Sequence, residues 1–415
     1  MVSAEDVRDL GNQTSRFSAL KRTAIDGDGE LQPTKCWHIA PTKKYPADLT
    51  PIPSSLCPPC LAKERLTKWT LATSRASLGE LPSEAQQRVQ EVVTSAWAES
   101  TRTMYRSGLL VYHVYCDSSA VPEQKRALAS PQLISEFAST ITGQYSASTV
   151  VNYVLGLKAW HVIHGLAWIP NDSELDAIFK AAQKLTPLTS RWKQRTPYTI
   201  DFMTAMQGKL DMDNPEHVAT FSCLTTTFFC VARLGEFTVK NLASFDPQSD
   251  VKPSDVWKET DHNSLVMTVF RLPRTKTSIN GEEVSWAPQD GIADPEAALN
   301  QHLQINTPPQ GGPLFAYKYK NKHKPLTKTC FLQVVAKAAW EAGIDPLQGH
   351  GIRIGAMLEY LLCGIPFNIM KTRGRWASDT FQLYLRKHAQ ILAPYMQATP
   401  AVHDSFVRYT MPRAC

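Results

Sequence analysis

Nowhere in its 415 residues does the chain hold eighteen consecutive apolar residues, so no membrane-spanning helix is expected. The opening residues, Met1-Val2-Ser3-Ala4-Glu5-Asp6, are acidic and polar, which argues against a secretory signal. Cysteine is sparse: nine are scattered through a long chain and read as reduced thiols rather than a disulfide framework. A strong charge of one sign is also missing. Lys and Arg total 44 against 38 Asp and Glu, a net of +6. That mild basic bias is compatible with nucleic acid but is weak alone. A hydrophobic content of 43% is ordinary for a folded chain, and the length suits two domains plus a tail.

Residues 1–80 lack a sustained helical period and are punctuated by Pro33, Pro41, Pro46, Pro51, Pro53, Pro58 and Pro59, so they read as irregular. Cys36, His38, Cys57 and Cys60 would suffice for one tetrahedral zinc site. Isolated and irregularly spaced, they read rather as incidental residues of an exposed tail, and no metal is assigned. From 81 to 186 the pattern turns helical. Ser83 with Gln86 gives a capping-box signature, and Ser100 reads as the cap of a helix through Tyr105, Leu109, Tyr112 and Tyr115. Helices over 133–141, 146–163 and 172–185 follow. Residues 187–197 form a linker with Arg191, Lys193 and Arg195 around Trp192.

In 198–400, a helix over 200–210 precedes a very apolar one over 216–231, with Arg233 at its end. A charge directly after such a run is costly to bury unless paired, and Glu236 is the natural partner. Residues 265–272 and 284–287 read as hairpin strands, with Asn280-Gly281 as the turn signal and Lys276 near the tip. Residues 317–324 form a basic, aromatic loop carrying Lys318, Lys320, Lys322 and Lys324. Thr327 caps a helix to Ala342, His350 opens another, Pro366 starts a short one, and a last helix spans 379–392.

His350 and Arg353 then share one helix face, a turn apart. In order, the chain offers Arg233, Lys276, His350-x-x-Arg353, Trp376 and Tyr384. Two Arg and one Lys around a Tyr can neutralise a phosphate oxyanion while the phenol oxygen attacks phosphorus. Taken singly, each has a plain structural alternative: a helix-end Arg, a turn Lys, a core His, a packing Trp, and a core Tyr sharing its face with Phe381 and Leu385.

The set in this order resembles the tyrosine recombinases, DNA breaking and rejoining enzymes. The wording of Leu272-Pro273-Arg274-Thr275-Lys276-Thr277 and of Gly374-Arg375-Trp376 through Tyr384-Leu385-Arg386 looks most like the eukaryotic mobile-element branch. Cryptons and the tyrosine-recombinase retroelements belong to that branch. The resemblance covers roughly residues 82–400 and departs at Ala232, where the family often has Gly. It implies a mainly α fold with a small antiparallel β-sheet. A helical, SAM-like core-binding domain at 81–186 would precede a mixed α+β catalytic domain at 198–400 and a tail at 401–415.

In the resemblance, Arg233 and Arg353 grip the non-bridging oxygens of the scissile phosphate. His350 hydrogen-bonds it or takes the phenolic proton, Lys276 protonates the departing 5′ oxygen, Trp376 donates its indole N–H, and Tyr384 is the nucleophile. A 3′-phosphotyrosine bond stores the energy for religation, so neither ATP, metal nor cofactor is implied. Double-stranded DNA is the implied partner, held by a homo-oligomer, in the nucleus if the chain is eukaryotic. Arg102, Arg106, Lys158, Lys180 and Lys184 become candidate phosphate contacts, as do the linker cations and the lysines of 317–324; each reads otherwise as an ordinary surface charge. A catalytically silent DNA-binding descendant is the alternative.

Overall fold

Hydrophobic periodicity on either side of the basic segment near residue 190 builds two separate cores. The computed structural model divides between Trp192 and Lys193. It describes residues 45, 49–52, 64–69, 82–190, 195–377, 382 and 385–396. The residues Cys36, His38, Cys57 and Cys60, the cations Arg191 and Lys193, and Tyr384 lie outside those described. The protein is mainly α with small antiparallel sheets. Among the described residues no helix is long and apolar enough to cross a membrane.

The N-terminal unit contains α1 (Arg65–Lys68), α2 (Ser83–Ser95), α3 (Glu99–Ser118), α4 (Glu123–Ala127), α5 (Pro131–Ile141), α6 (Ala147–Ile163) and α7 (Asp172–Leu185). Local chemistry sets the ends. The Ser130 hydroxyl accepts from the Leu133 amide at the start of α5, and the Asn171 side chain accepts from the Glu174 amide at α7. Two caps differ from the sequence expectation. Ser83 is the first helical residue of α2, behind Pro82, and α3 begins at Glu99 behind Ala98. Along α5, Ile134, Phe137, Ala138 and Ile141 recur at i, i+3, i+4 and i+7 and are buried. They meet Leu109 and Tyr112 of α3 and Val150, Leu157 and Trp160 of α6 in one core. Buried beside it, Arg126 donates to Asp117 at 2.7 Å and to the Val121 carbonyl at 2.8 Å.

The C-terminal unit is built around α9 (Pro215–Phe229), which follows α8 (Ile200–Gln207). Every residue of α9 from Val218 onward is buried. Thr220 and Thr225 survive there because their hydroxyls donate to the carbonyls of Glu216 and Phe221, four residues back. After α10 (Leu234–Phe237) come β1 (Val256–Thr260), β2 (Val266–Leu272) and β3 (Glu282–Trp286), an antiparallel sheet in that order. Phe270 pairs with Val284 and Thr268 with Trp286, so one sheet face joins the core. The strand β1 was not anticipated.

Then follow α11 (Pro295–Asn306), β4 (Tyr317–Tyr319), β5 (Lys322–Lys324), α12 (Lys328–Glu341), α13 (His350–Leu362), α14 (Phe367–Arg373) and α15 (His388–Leu392). Two expectations are corrected. The basic loop 317–324 is a hairpin, because Lys320 (φ 47°) and Asn321 (φ 61°) both take left-handed conformations at its tip. Two positive φ values match the twist of paired strands. The expected helix over 379–392 does not run through: Lys387 has φ 50° and α15 starts only at His388.

Candidate active site

A very apolar helix delivers the first arginine. After α9 the chain turns through Val231, whose φ of 51° is an outlier for a β-branched residue. Arg233 therefore does not end α9; it is the N-cap of α10. The Glu236 carboxylate holds it twice, accepting from its backbone amide at 2.8 Å and from its guanidinium at 2.9 Å. Some 30% of the Arg233 side chain stays exposed, so its outer face is open to a ligand.

The second arginine comes from α13, whose first residue is His350. Tyr198 runs tightly along this helix, donating its amide to the Gly351 carbonyl at 3.1 Å. A Cβ at Gly355 would stand 2.0 Å from the Tyr198 carbonyl oxygen, so only glycine allows that approach. Arg353, one turn in, is 2% exposed. It donates to the Gly374 carbonyl oxygen, and its guanidinium stacks 4.5 Å from the Trp376 ring centroid.

His350 reports on the charge around it. Burial, then the positive charges of Arg195, Arg353, Arg233 and Lys328, push its ring pKa down to about 4. The ring is thus neutral at pH 7, and an anion bound among these cations would raise its proton affinity. All four cations therefore act on this one ring. Arg195 is the one linker candidate within the described residues, and it is exposed. Lys328, the first residue of α12, was not singled out from sequence; only its place behind the Thr327 cap could have pointed to it.

Arg375 was missed as well. Its φ of 55° lies in the left-handed region, which costs a non-glycine residue on the order of 1 kcal/mol. Its side chain is 9% exposed and donates to Glu236 at 2.6 Å and to Glu282 at 2.9 Å. Burial pushes the Glu236 carboxyl up, but Arg375 and the Arg233 contacts outweigh it and hold the group below the usual carboxylate range.

Lys276 is exposed on the segment joining β2 and β3, as its sequence position predicts. The segment is knitted by Thr275, whose hydroxyl accepts from the Ser278 amide at 3.0 Å and whose own amide donates to the Ser278 carbonyl at 2.9 Å. Thr277 reaches the first residue of β3, its hydroxyl donating to Glu282 at 3.4 Å. Another tyrosine, Tyr360, lies on α13. Its hydroxyl donates to the Phe229 carbonyl at 2.9 Å and accepts from Arg373 at 2.9 Å, which makes it a packing residue.

The other candidate contacts divide by exposure. In the N-terminal unit Lys158, Lys180 and Lys184 are exposed. Arg106 is not the surface charge its sequence position suggests: it is 8% exposed and paired with Glu99 at 2.6 Å, and Arg102 pairs with the same carboxylate at 2.7 Å. In the hairpin Lys318, Lys320 and Lys322 are exposed, and Lys324 lies 5.0 Å from the Tyr319 ring centroid. Asn306 anchors this hairpin: its side-chain oxygen accepts from the Lys318 amide, and its carbonyl from the His323 ring at 2.7 Å.

No protein-family model matches the chain, and no curated protein matches it. Among solved structures it is similar to the XerH site-specific recombinase bound to palindromic difH substrate in a post-cleavage complex. That similarity has 13% identity, 81% of this chain and 93% of the other covered, and a TM-score of 0.48. It is also similar to the XerA recombinase (14% identity, 80% and 99% covered, TM-score 0.32). A third similarity is to an FLP recombinase–Holliday junction complex (14% identity, 63% and 65% covered, TM-score 0.32).

Proposed function

We propose that this chain is a tyrosine recombinase, which breaks and rejoins duplex DNA through a 3′-phosphotyrosine intermediate. One observation carries the reading. Arg233, His350, Arg353 and Trp376, separated by up to 143 positions in sequence (376 − 233), gather in one unit, and the charges acting most strongly on His350 are all cationic. Such a centre suits an anion with two oxygens to grip, and guanidinium forks match that geometry.

The chemistry follows from the groups. A phenol with a pKa near 10 is a poor nucleophile at neutral pH, so its target must be neutralised first. Arg233 and Arg353 bind the non-bridging oxygens of the phosphate, with the Trp376 indole beside them. The Tyr384 oxygen attacks phosphorus and its proton passes to neutral His350. The bond from phosphorus to the 5′ oxygen breaks, and Lys276 supplies the proton that this oxygen gains. Reversal with a new 5′ hydroxyl rejoins the strand. Proton and charge balance without a nucleotide cofactor.

Lys158, Lys180 and Lys184 in one unit, and Arg195 with the 317–324 hairpin in the other, are proposed backbone contacts. From the motif wording we extend the proposal to a mobile-element enzyme that works in the nucleus as paired protomers on DNA. The test is incubation of the full chain with nicked suicide duplexes bearing candidate repeats. A denaturation-resistant protein–DNA adduct is expected. It should vanish in Tyr384→Phe, which keeps the ring and should bind DNA as the parent does. If the parent binds duplex DNA but forms no adduct on any repeat, the chain is a DNA-binding protein without this chemistry.

A further inference from the structure

The segment Gly374-Arg375-Trp376 reaches both arginines of the proposed phosphate grip, one directly and one through a carboxylate. Gly374 gives its carbonyl to Arg353, and Trp376 gives that guanidinium a ring to stack on. Between them Arg375 forks onto two carboxylates from distant parts of the chain. One is Glu236, which holds Arg233 by backbone and side chain. The other is Glu282, the first residue of β3, which also accepts from Thr277, the neighbour of Lys276.

The backbone is bent to allow this. Arg375 takes φ 55°, a conformation that glycine or asparagine adopts at less cost. A Cβ at Gly374 would fall 1.6 Å from a Trp376 ring atom, so the ring occupies space that only glycine leaves. A long cationic side chain in a strained, buried place, satisfied by two carboxylates, reads as a built connection and not as a surface charge.

We propose that Arg375 is a positioning residue for strand cleavage, tying Arg233 through Glu236, and the Lys276 segment through Glu282, to the stretch that leads to Tyr384. The inference rests on the reading of the previous subsection. It has a specific consequence. Loss of the Glu282 arm loosens the residue that protonates the leaving oxygen, and leaves the phosphate grip of Arg233 in place. Loss of Arg375 itself loosens both.

Adduct formation is measured on two nicked duplexes, one with the normal 5′ oxygen and one with a 5′-bridging sulfur, which leaves without a proton donor. Misplaced catalytic groups cost up to about 100-fold, so Arg375→Ala should lose about that factor on the oxygen substrate and regain a large part of it on sulfur. Glu282→Gln, which keeps the Arg233–Glu236–Arg375 chain, should lose about tenfold on oxygen and match the parent on sulfur, as expected for a proton-transfer defect. Equal losses on both substrates, or a Glu282→Gln protein at parent level on oxygen, overturn the proposal. A second readout needs no chemistry. Trypsin should cut after Arg274 and Lys276 several-fold faster in Glu282→Gln than in the parent, and an unchanged rate also overturns the proposal. Absence of any adduct in the parent would instead sink the recombinase reading, an outcome that the trypsin rates separate from failure of the Arg375 connection.

Discussion

Each unit buries an arginine against a carboxylate, and the two arrangements differ in a way that separates structure from chemistry. In the N-terminal unit Arg126 and Asp117 are 3% and 8% exposed and paired at 2.7 Å. A second Arg126 N–H goes to the Val121 carbonyl, and the Tyr112 hydroxyl donates to the Arg126 carbonyl. In the C-terminal unit Arg233 and Arg375 share Glu236, Glu282 takes one more bond, and Arg353 brings a third guanidinium stacked on Trp376. Two guanidinium groups therefore share two carboxylates, a third lies on Trp376, and burial with the cations around it lowers the His350 pKa. Positive charge concentrated around one histidine is costly in an empty site and useful once an anion arrives. The closed pair holds a fold; the open cluster is suited to hold a phosphate.

Removing one arginine from each tests that difference most strongly. Arg233→Ala should reduce adduct formation by about 10²–10³-fold, the usual loss on deleting one group that stabilises transition-state charge. Its melting temperature should move little, because Glu236 keeps Arg375. Arg126→Ala should do the opposite. Asp117 would be left buried without this cation, at a cost of about 3–5 kcal/mol in denaturant unfolding. Adduct formed per folded molecule should stay at parent level. If Arg233→Ala unfolds the protein while Arg126→Ala silences it, the assignment of the two clusters is reversed.

A smaller effect separates positioning contacts from the cluster. Binding to duplex DNA should weaken steeply with salt, since each phosphate contact releases counterions. Lys320→Ala with Lys322→Ala should flatten the log–log salt slope by about 0.9 for each phosphate that these two side chains neutralise. The cleavage rate at saturating DNA should hardly change, because these exposed lysines lie on an anchored hairpin. An unchanged slope would remove the hairpin from the DNA interface.

What could be read in sequence was local. Arg233 and Glu236 are three apart, as are His350 and Arg353, so a helical turn suffices to predict that each pair cooperates. The Thr327 cap and the Lys276 segment were legible for the same reason. Arg375 was not: its partners Glu236 and Glu282 lie 139 and 93 residues away, and no period connects them. The 317–324 hairpin escaped because its tip is Lys320-Asn321, and an asparagine after a lysine carries a weaker turn signal than Asn-Gly. The strand β1 escaped because Lys258, Glu259 and Thr260 are exposed and break the apolar pattern of an edge strand. The buried Arg106 shows the converse failure, a basic residue whose pairing with Glu99, seven residues back, the charge count could not reveal.

The smallest prediction concerns His350, where the cluster acts at a distance. Burial is the leading cause of its lowered pKa, and Arg195, Arg353, Arg233 and Lys328 add to it. In the free protein its ring should titrate near 4 rather than near the usual 6.5, followed by the histidine ring resonances in NMR. The sign for stability is fixed by linkage. Between about 6.5 and 4 the unfolded chain binds a proton at this histidine and the folded chain does not, so stability falls as pH drops through that window. Above it the contribution is fully present. Lys328→Ala and Arg195→Ala, each removing one exposed cation, should raise the midpoint slightly. A bound duplex should raise it further, because its phosphate offsets the same charges. A midpoint near 6.5 in the free protein, indifferent to all three changes, would mean that His350 does not sit inside the cationic cluster, and the electrostatic argument for an anion site there would fall.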